Sequence, residues 1–113
     1  MKKLLILACA FAPLAQAASI EAGKAKVEAV CAACHGANGV SVSDTIPNLA
    51  AQRAGYIEGQ LKAFKEGARR AASPTSPAAT MAAIAAQLGP DDIANVAAYF
   101  ASLRGCATLD CWR

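Results

Sequence analysis

Five consecutive residues hold the densest chemistry of the chain: Cys31, Ala32, Ala33, Cys34 and His35. Two thiols three residues apart, followed at once by an imidazole, match the pattern C-x-x-C-H. In that pattern both sulfurs add to haem vinyl groups as thioethers and the histidine supplies its ring nitrogen to the iron. On a helix, residues three and four apart share a face, so Cys31, Cys34 and His35 project to one side and can hold one flat ligand. Two other chemistries use paired thiols. A redox dithiol belongs beside a βαβ pattern, which this sequence does not offer. A structural zinc site needs two further ligands, and Cys106 and Cys111 are the cysteines available to supply them. A colourless pure protein would favour that zinc reading over haem.

An iron bound by His35 takes a second axial ligand. The chain has one histidine and two methionines, Met1 and Met81, so Met81 is the candidate. A thioether is a weak, soft ligand that suits haem iron in electron transfer and raises its potential. Met81 follows a proline-containing loop and lies forty-six residues after His35, a span long enough to carry the chain round a haem. The alternative role for such a residue is to fill a gap in a core.

These residues need elements to position them, and the sequence predicts helices without strands. Alanine, the strongest helix former, recurs throughout, and alternating β-branched residues are confined to Val40-Ser41-Val42-Ser43. A first helix is expected from Ser19 as N-cap to Cys34 or His35, stopping at Gly36. Gly36 to Gln52, with Gly39, Asp44, Pro47 and Asn48, reads as a long loop. A second helix, about Ala54 to Arg69, places Ile57, Leu61, Phe64 and Ala68 on one face. Its other face, Glu58, Lys62, Lys65, Glu66 and Arg69, reads as solvated surface with no chemistry. Ala71 to Thr80, with Pro74 and Pro77, is expected to be a loop, and a short helix follows over Ala82 to Leu88. The last helix has Gly89 at its cap, Pro90 in its first turn and Asp91 and Asp92 at the positive end of its dipole. Its buried face is Ile93, Val96, Ala97, Phe100 and Leu103.

The N-terminus predicts an address. Lys2 and Lys3 precede an apolar run of twelve residues, Leu4 to Ala15, and Ala15-Gln16-Ala17 forms a small-x-small cleavage site. That run is well short of the roughly 20 residues a membrane-spanning helix needs. Residues 1–17 therefore read as an export signal, 18–104 as one helical domain and 105–113 as a tail, with a periplasmic destination. Cys9 offers a lipoprotein-type alternative, but five apolar residues between Lys3 and Cys9 make a very short hydrophobic region. Loss of Lys2 and Lys3 leaves nine basic against eight acidic residues. A balance so even gives no basic face for nucleic acid.

With these motifs in place, the chain resembles the class I cytochromes c, in particular a single-haem half of a cytochrome c4 or a cytochrome of the c553 kind. The resemblance runs from Gly23 to Leu103 and implies an all-α fold, three main helices plus short helices and loops wrapped around one haem c bound through Cys31 and Cys34. By position, Gly23 is similar to the small residue that lets the last helix cross the first, with Val96 and Tyr99 as packing partners. Pro47, in Ile46-Pro47-Asn48-Leu49, resembles the proline whose carbonyl receives the other ring N–H of the haem histidine. Gly55-Tyr56, Gln60-Leu61, Phe64 and Gly67 with Arg70 are similar to the family's middle-helix signature, and Met81 stands where its axial methionine stands. Gly89-Pro90 replaces the serine usual at the start of the last helix.

With His35 and Met81 on the iron, no coordination position is left for a substrate. The expected role is a one-electron carrier in a bacterial respiratory chain, not an enzyme, meeting redox partner proteins as a monomer or as a subunit of a redox complex. The alternatives are a cytochrome subunit held permanently by an enzyme and a haem sensor in which a gas displaces Met81. The tail has no counterpart in the resemblance. In an oxidising compartment, Cys106 and Cys111 are expected to form a disulfide, with the last helix ending at Gly105.

Overall fold

The computed structural model describes residues 17–104. The expected leader up to Gln16, and the tail with the disulfide expected between Cys106 and Cys111, lie outside the described residues. Among the described residues the regular structure is helical: α1 (Ile20–Lys26), a π-helical turn (Val27–Cys31), α2 (Ala32–His35), α3 (Ala54–Lys65), α4 (Pro77–Ala86) and α5 (Pro90–Ser102). None of these helices is long and apolar enough to cross a membrane.

α1, the π turn and α2 run on without a break, as the expected first helix. Ser19 is extended at φ −99° and its hydroxyl accepts the Ala22 N–H at 3.1 Å. Such a cap contributes about 1 kcal/mol. The Ser19 N–H donates to the Asn95 side chain at 2.7 Å, which ties the start of α1 to α5. At the other end Gly36 takes φ +80°, a left-handed conformation that ends the run.

Three boundaries differ from expectation. α5 ends at Ser102, where Leu103 turns extended at ψ 153°, and does not run on to Gly105. α3 stops at Lys65, four residues early, because Gly67 at φ +73° turns the chain back, and Ala68 is exposed rather than on the buried face. α4 begins at Pro77, five residues early. Ser76 caps it by accepting the Ala79 N–H at 3.3 Å, and Pro77, read from the sequence as a loop residue, fills the first helical position where a missing N–H costs nothing. Met81 therefore lies within α4, one turn from its start, and not in the approach to it.

α1 packs on α5, and α3 packs on both α5 and α4. Val27, Ile57, Leu61, Leu88, Ile93, Val96, Ala97, Tyr99 and Phe100 form the shared core, with Cys31, Leu49, Met81 and Leu103 packed against it. The α1–α5 crossing is close enough that a Cβ on Gly23 would strike the Asn95 carbonyl and come within 2.9 Å of the Tyr99 Cβ. The small residue and Tyr99 are thus placed as the resemblance implied. The nearest backbone, however, is that of Asn95.

Loop 36–53 is strapped to this frame. Gly39 O accepts from the N–H groups of Leu49 and Ala50 at 2.8 and 3.0 Å, and Phe100 O accepts from Ala51 N–H at 2.9 Å. The Tyr99 hydroxyl donates to Ala37 O at 2.9 Å. The loop is held at both ends by α5 while its middle, Thr45 to Leu49, faces α3 and α4 across a cavity.

Candidate functional site

Gly23, Val27, Cys31 and His35 recur every four residues. An α-helix repeats every 3.6 residues, so such a stripe would wind away by about 40° per step. The π turn, closed by the Ala32 N–H donating to Val27 O, is wider and takes back that drift. Gly23 and Val27 can thereby face α5 while Cys31 and His35 still face the interior.

That interior is a cavity of about 280 Å³. Cys31 lines it from the end of the π turn, Cys34 and His35 from α2, and Thr45, Ile46, Pro47 and Leu49 from the loop. Ile57 and Leu61 of α3, Met81 and Ile84 of α4, and Val96 and Phe100 of α5 complete the apolar wall with Leu88. A second lobe of similar volume shares His35, Pro47, Leu61 and Met81 and extends to Asn48, Gln52, Tyr56, Gln60, Phe64 and Arg69. All five residues singled out from the sequence, Cys31, Cys34, His35, Pro47 and Met81, therefore line one space.

His35 is the one buried polar side chain among the described residues, at 6% exposure. Its Nδ1 lies 2.9 Å from the Pro47 carbonyl oxygen. A carbonyl accepts only, so Nδ1 carries the proton and Nε2 keeps its lone pair for a metal. Cys34 is exposed and Cys31 half-buried, and both carry free thiols. Burial pushes the Cys31 thiol up to about 11, against the opposing pull of the Lys26 charge. In this geometry the Cys31 sulfur is protonated at neutral pH and is a poor nucleophile.

The donor set fits a haem. One imidazole with its tautomer fixed and one thioether are soft ligands that suit iron in a porphyrin and not a hard cation. Two thiols on the same wall are where thioether links would form, and the rest of that wall is apolar. Among the described residues no cluster of three or more His, Cys, Asp or Glu side chains could hold a metal ion by itself.

Several lining residues were absent from the sequence reading. Ile46 and Leu49 were placed in a loop without a burial role, although two large apolar residues flanking Pro47-Asn48 are a signal that the loop folds inward. Thr80 falls in the part of α4 expected to be loop, and Ile84 lies inside the expected short helix without a lining role there. Arg69 is exposed, as expected for its face, and also lines the second lobe.

The family model for cytochrome c matches residues 20–104. Cytochrome c-554(548) of Halomonas halodenitrificans is 40% identical over 81 residues, covering 72% of this chain and 92% of that protein. Cytochrome c4 of Pseudomonas aeruginosa is 40% identical over 106 residues, covering 90% of this chain and 49% of that protein. The crystal structure of reduced recombinant cytochrome c4 from Pseudomonas stutzeri superposes with a TM-score of 0.66 at 37% identity, over 79% of this chain and 47% of that one. The chain thus spans nearly all of one relative and about half of the cytochromes c4. It belongs to the cytochrome c family, as a class I c-type domain of single-haem scale closely related to cytochrome c4, and is an electron carrier, not itself an enzyme.

Proposed function

We propose that the protein is exported to the periplasm and works there as a diffusible one-electron shuttle between redox proteins, with His35 and Met81 as the two axial ligands of its haem. The observation that carries this reading is that Met81 lines both lobes of the cavity together with His35. When bound, the haem supplies an iron that cycles between the ferrous and ferric states. Cys31 and Cys34 anchor it, the Pro47 carbonyl holds the His35 ring in one orientation, and the apolar walls exclude water. With His35 and Met81 holding the iron in both oxidation states, an electron would move with little rearrangement, and oxygen or peroxide would find no open place.

The cavity reaches solvent beside α2 and also beside the second lobe, where Asn48, Gln52, Tyr56 and Arg69 are exposed. Cys34 and Val30 are both exposed and both line the cavity, so a partner docking there would lie beside the cysteines that would anchor the haem. The even charge balance of the exported chain makes this contact depend on local fit more than on long-range steering. A visible spectrum and a pyridine haemochrome assay on protein made with a haem-attachment system test the cofactor. One covalent haem per chain, low-spin and unreactive to carbon monoxide when reduced, is the expected result.

A second reading has its own observation. Cytochrome c4 of Pseudomonas aeruginosa carries a region like this chain in about half its length, so such a domain also works joined to further polypeptide. A permanently bound subunit would co-purify from its source in fixed ratio with its partner. A shuttle would emerge as a monomer.

A further inference from the structure

α4 carries Met81, yet little that is directional fixes where α4 sits. Residues 71–89 contain no charged side chain. Alanine fills most of α4, so the helix packs on α3 with few large side chains to lock its register. Apolar contact of that kind is non-directional. The start of α4 is capped from within its own segment, by Ser76. α1 differs, being tied to α5 by the Ser19 N–H on Asn95 and by Lys26 beside Asp92. The exception for α4 lies at its exit. Lys65, the last residue of α3, donates from Nζ to the carbonyl oxygen of Leu88. Among the described residues this is the one hydrogen bond between residues 77–88 and another helix.

Leu88 is buried, and its carbonyl follows the last turn of α4, where orphaned carbonyls gather partial negative charge. An ammonium group placed there makes a charge-assisted bond, stronger than a neutral one. The same joint is held from a second side. The Gly89 N–H donates to Asp92, and Asp92 is paired with Lys26 of α1. Lys65 adds its charge to the groups that hold the Asp92 carboxyl down, of which the Gly89 N–H is foremost. Met81, Ile84 and Leu88 all line the first lobe, so a slip of the Leu88 end along α3 carries Met81 with it. The geometry points to Lys65 as a positioning residue: by clamping the Leu88 carbonyl it fixes α4 in the register that presents the Met81 sulfur to the iron. This assignment rests on the axial-ligand reading above.

The ferric holoprotein gives the test. Sulfur on ferric haem iron produces a near-infrared charge-transfer band, and added cyanide binds that iron only when the sulfur leaves. Lys65→Met keeps the length of the side chain and removes its donor. In that variant the band is expected to weaken and the rate of cyanide binding to rise several-fold, up to about tenfold, the worth of one hydrogen bond. Lys65→Arg restores a cationic donor and brings both readouts most of the way back. Lys62→Met removes a charge one turn earlier on α3, from an ion pair with Glu58, and leaves both as in the wild type. Hydrogen exchange of the α4 amides quickens in Lys65→Met and not in the other two. Lys65→Gln, which shortens the side chain and removes its charge, shows the same changes and decides the matter should Lys65→Met fail to fold. A wild type without the band removes Met81 as the ligand, and this assignment with it. A wild type that has the band, with Lys65→Met and Lys65→Gln indistinguishable from it or from Lys62→Met in both band and cyanide rate, overturns the assignment and leaves the ligand in place.

Discussion

The ring Nδ1 of His35 and the carbonyl oxygen of Pro47 lie 2.9 Å apart, although the two residues belong to different elements and are twelve positions apart in the chain. The contact decides the tautomer of the imidazole and therefore which nitrogen faces the cavity. It exists because loop 36–53 is closed on itself at Gly39 and fastened to α5 through Ala51 and Tyr99. The orientation of the His35 ring thus depends on the packing of α5, which is also the helix that α1 must cross.

Replacing Met81 by alanine separates anchoring from ligation. The thioether bonds at Cys31 and Cys34 hold the porphyrin, whereas Met81 would touch the metal alone. The Met81→Ala protein is expected to retain one covalent haem per chain but to become high-spin and to bind carbon monoxide when reduced. Identical spectra for the variant and the wild type would remove Met81 as the ligand.

Gly23→Ala tests the helix crossing. The added methyl group would meet the Asn95 carbonyl and the Tyr99 Cβ, and backbone on both sides leaves little freedom to yield. Overpacking of this kind costs about 1–3 kcal/mol. For a domain of this size that lowers the melting temperature by roughly 4–8 °C per kcal/mol. A melt within experimental error of the wild type would mean that α1 and α5 can separate without loss.

Much of this arrangement is legible in the sequence. The C-x-x-C-H motif names three lining residues outright, the single histidine and the pair of methionines narrow the axial ligands, and Ser19, Gly36 and Pro90 mark helix ends through cap chemistry that is local. The start of α4 was not legible by the same logic, because Ser76-Pro77 reads equally as a loop and as a cap followed by a first-turn proline, and only packing against α3 decides between them. The π turn leaves a trace in the four-residue spacing of Gly23, Val27, Cys31 and His35. The place of Arg69 leaves none, since it depends on a turn at Gly67 that breaks the helical pattern to which the residue was assigned.

The acid limb of stability should carry the signature of Asp92. Its carboxyl is held below the ordinary 3.8 first by the Gly89 N–H, which donates to it at 3.0 Å, and then by Lys26, whose Nζ is 3.3 Å away. A lowered carboxyl contributes stability that is present above pH 3.8 and is lost as pH falls through the lower, folded-state value. Asp92 is partly exposed, so the effect is modest. Asp92→Ala is expected to lose roughly 0.3–1 kcal/mol near neutrality, the usual worth of a carboxylate in the first turn of a helix. Denaturant titrations of the haem protein should show that difference shrinking as the solution is acidified below 3.8. A difference constant across that range would assign the loss to packing and not to charge.

Changing Cys31 and Cys34 together to serine removes both anchors, and the expected outcome goes beyond loss of colour. Val27, Ile57, Leu61, Leu88, Val96 and Phe100 belong to the core, and all but Val27 also line the cavity, so much of the core wall is a surface meant to be covered by the cofactor. In a domain this small a single core is marginal. An apolar space of about 280 Å³ left without its occupant forfeits the contacts of every side chain around it. The haem-free double variant should therefore keep part of its helical far-ultraviolet signal, since the Ser19 and Ser76 caps and the alanine content are local. It should lose its near-ultraviolet signal and unfold over a broad range of temperature. A sharp, cooperative melt with native near-ultraviolet dichroism would show instead that α1, α3 and α5 close on one another unaided, and that the haem is a guest in a finished fold.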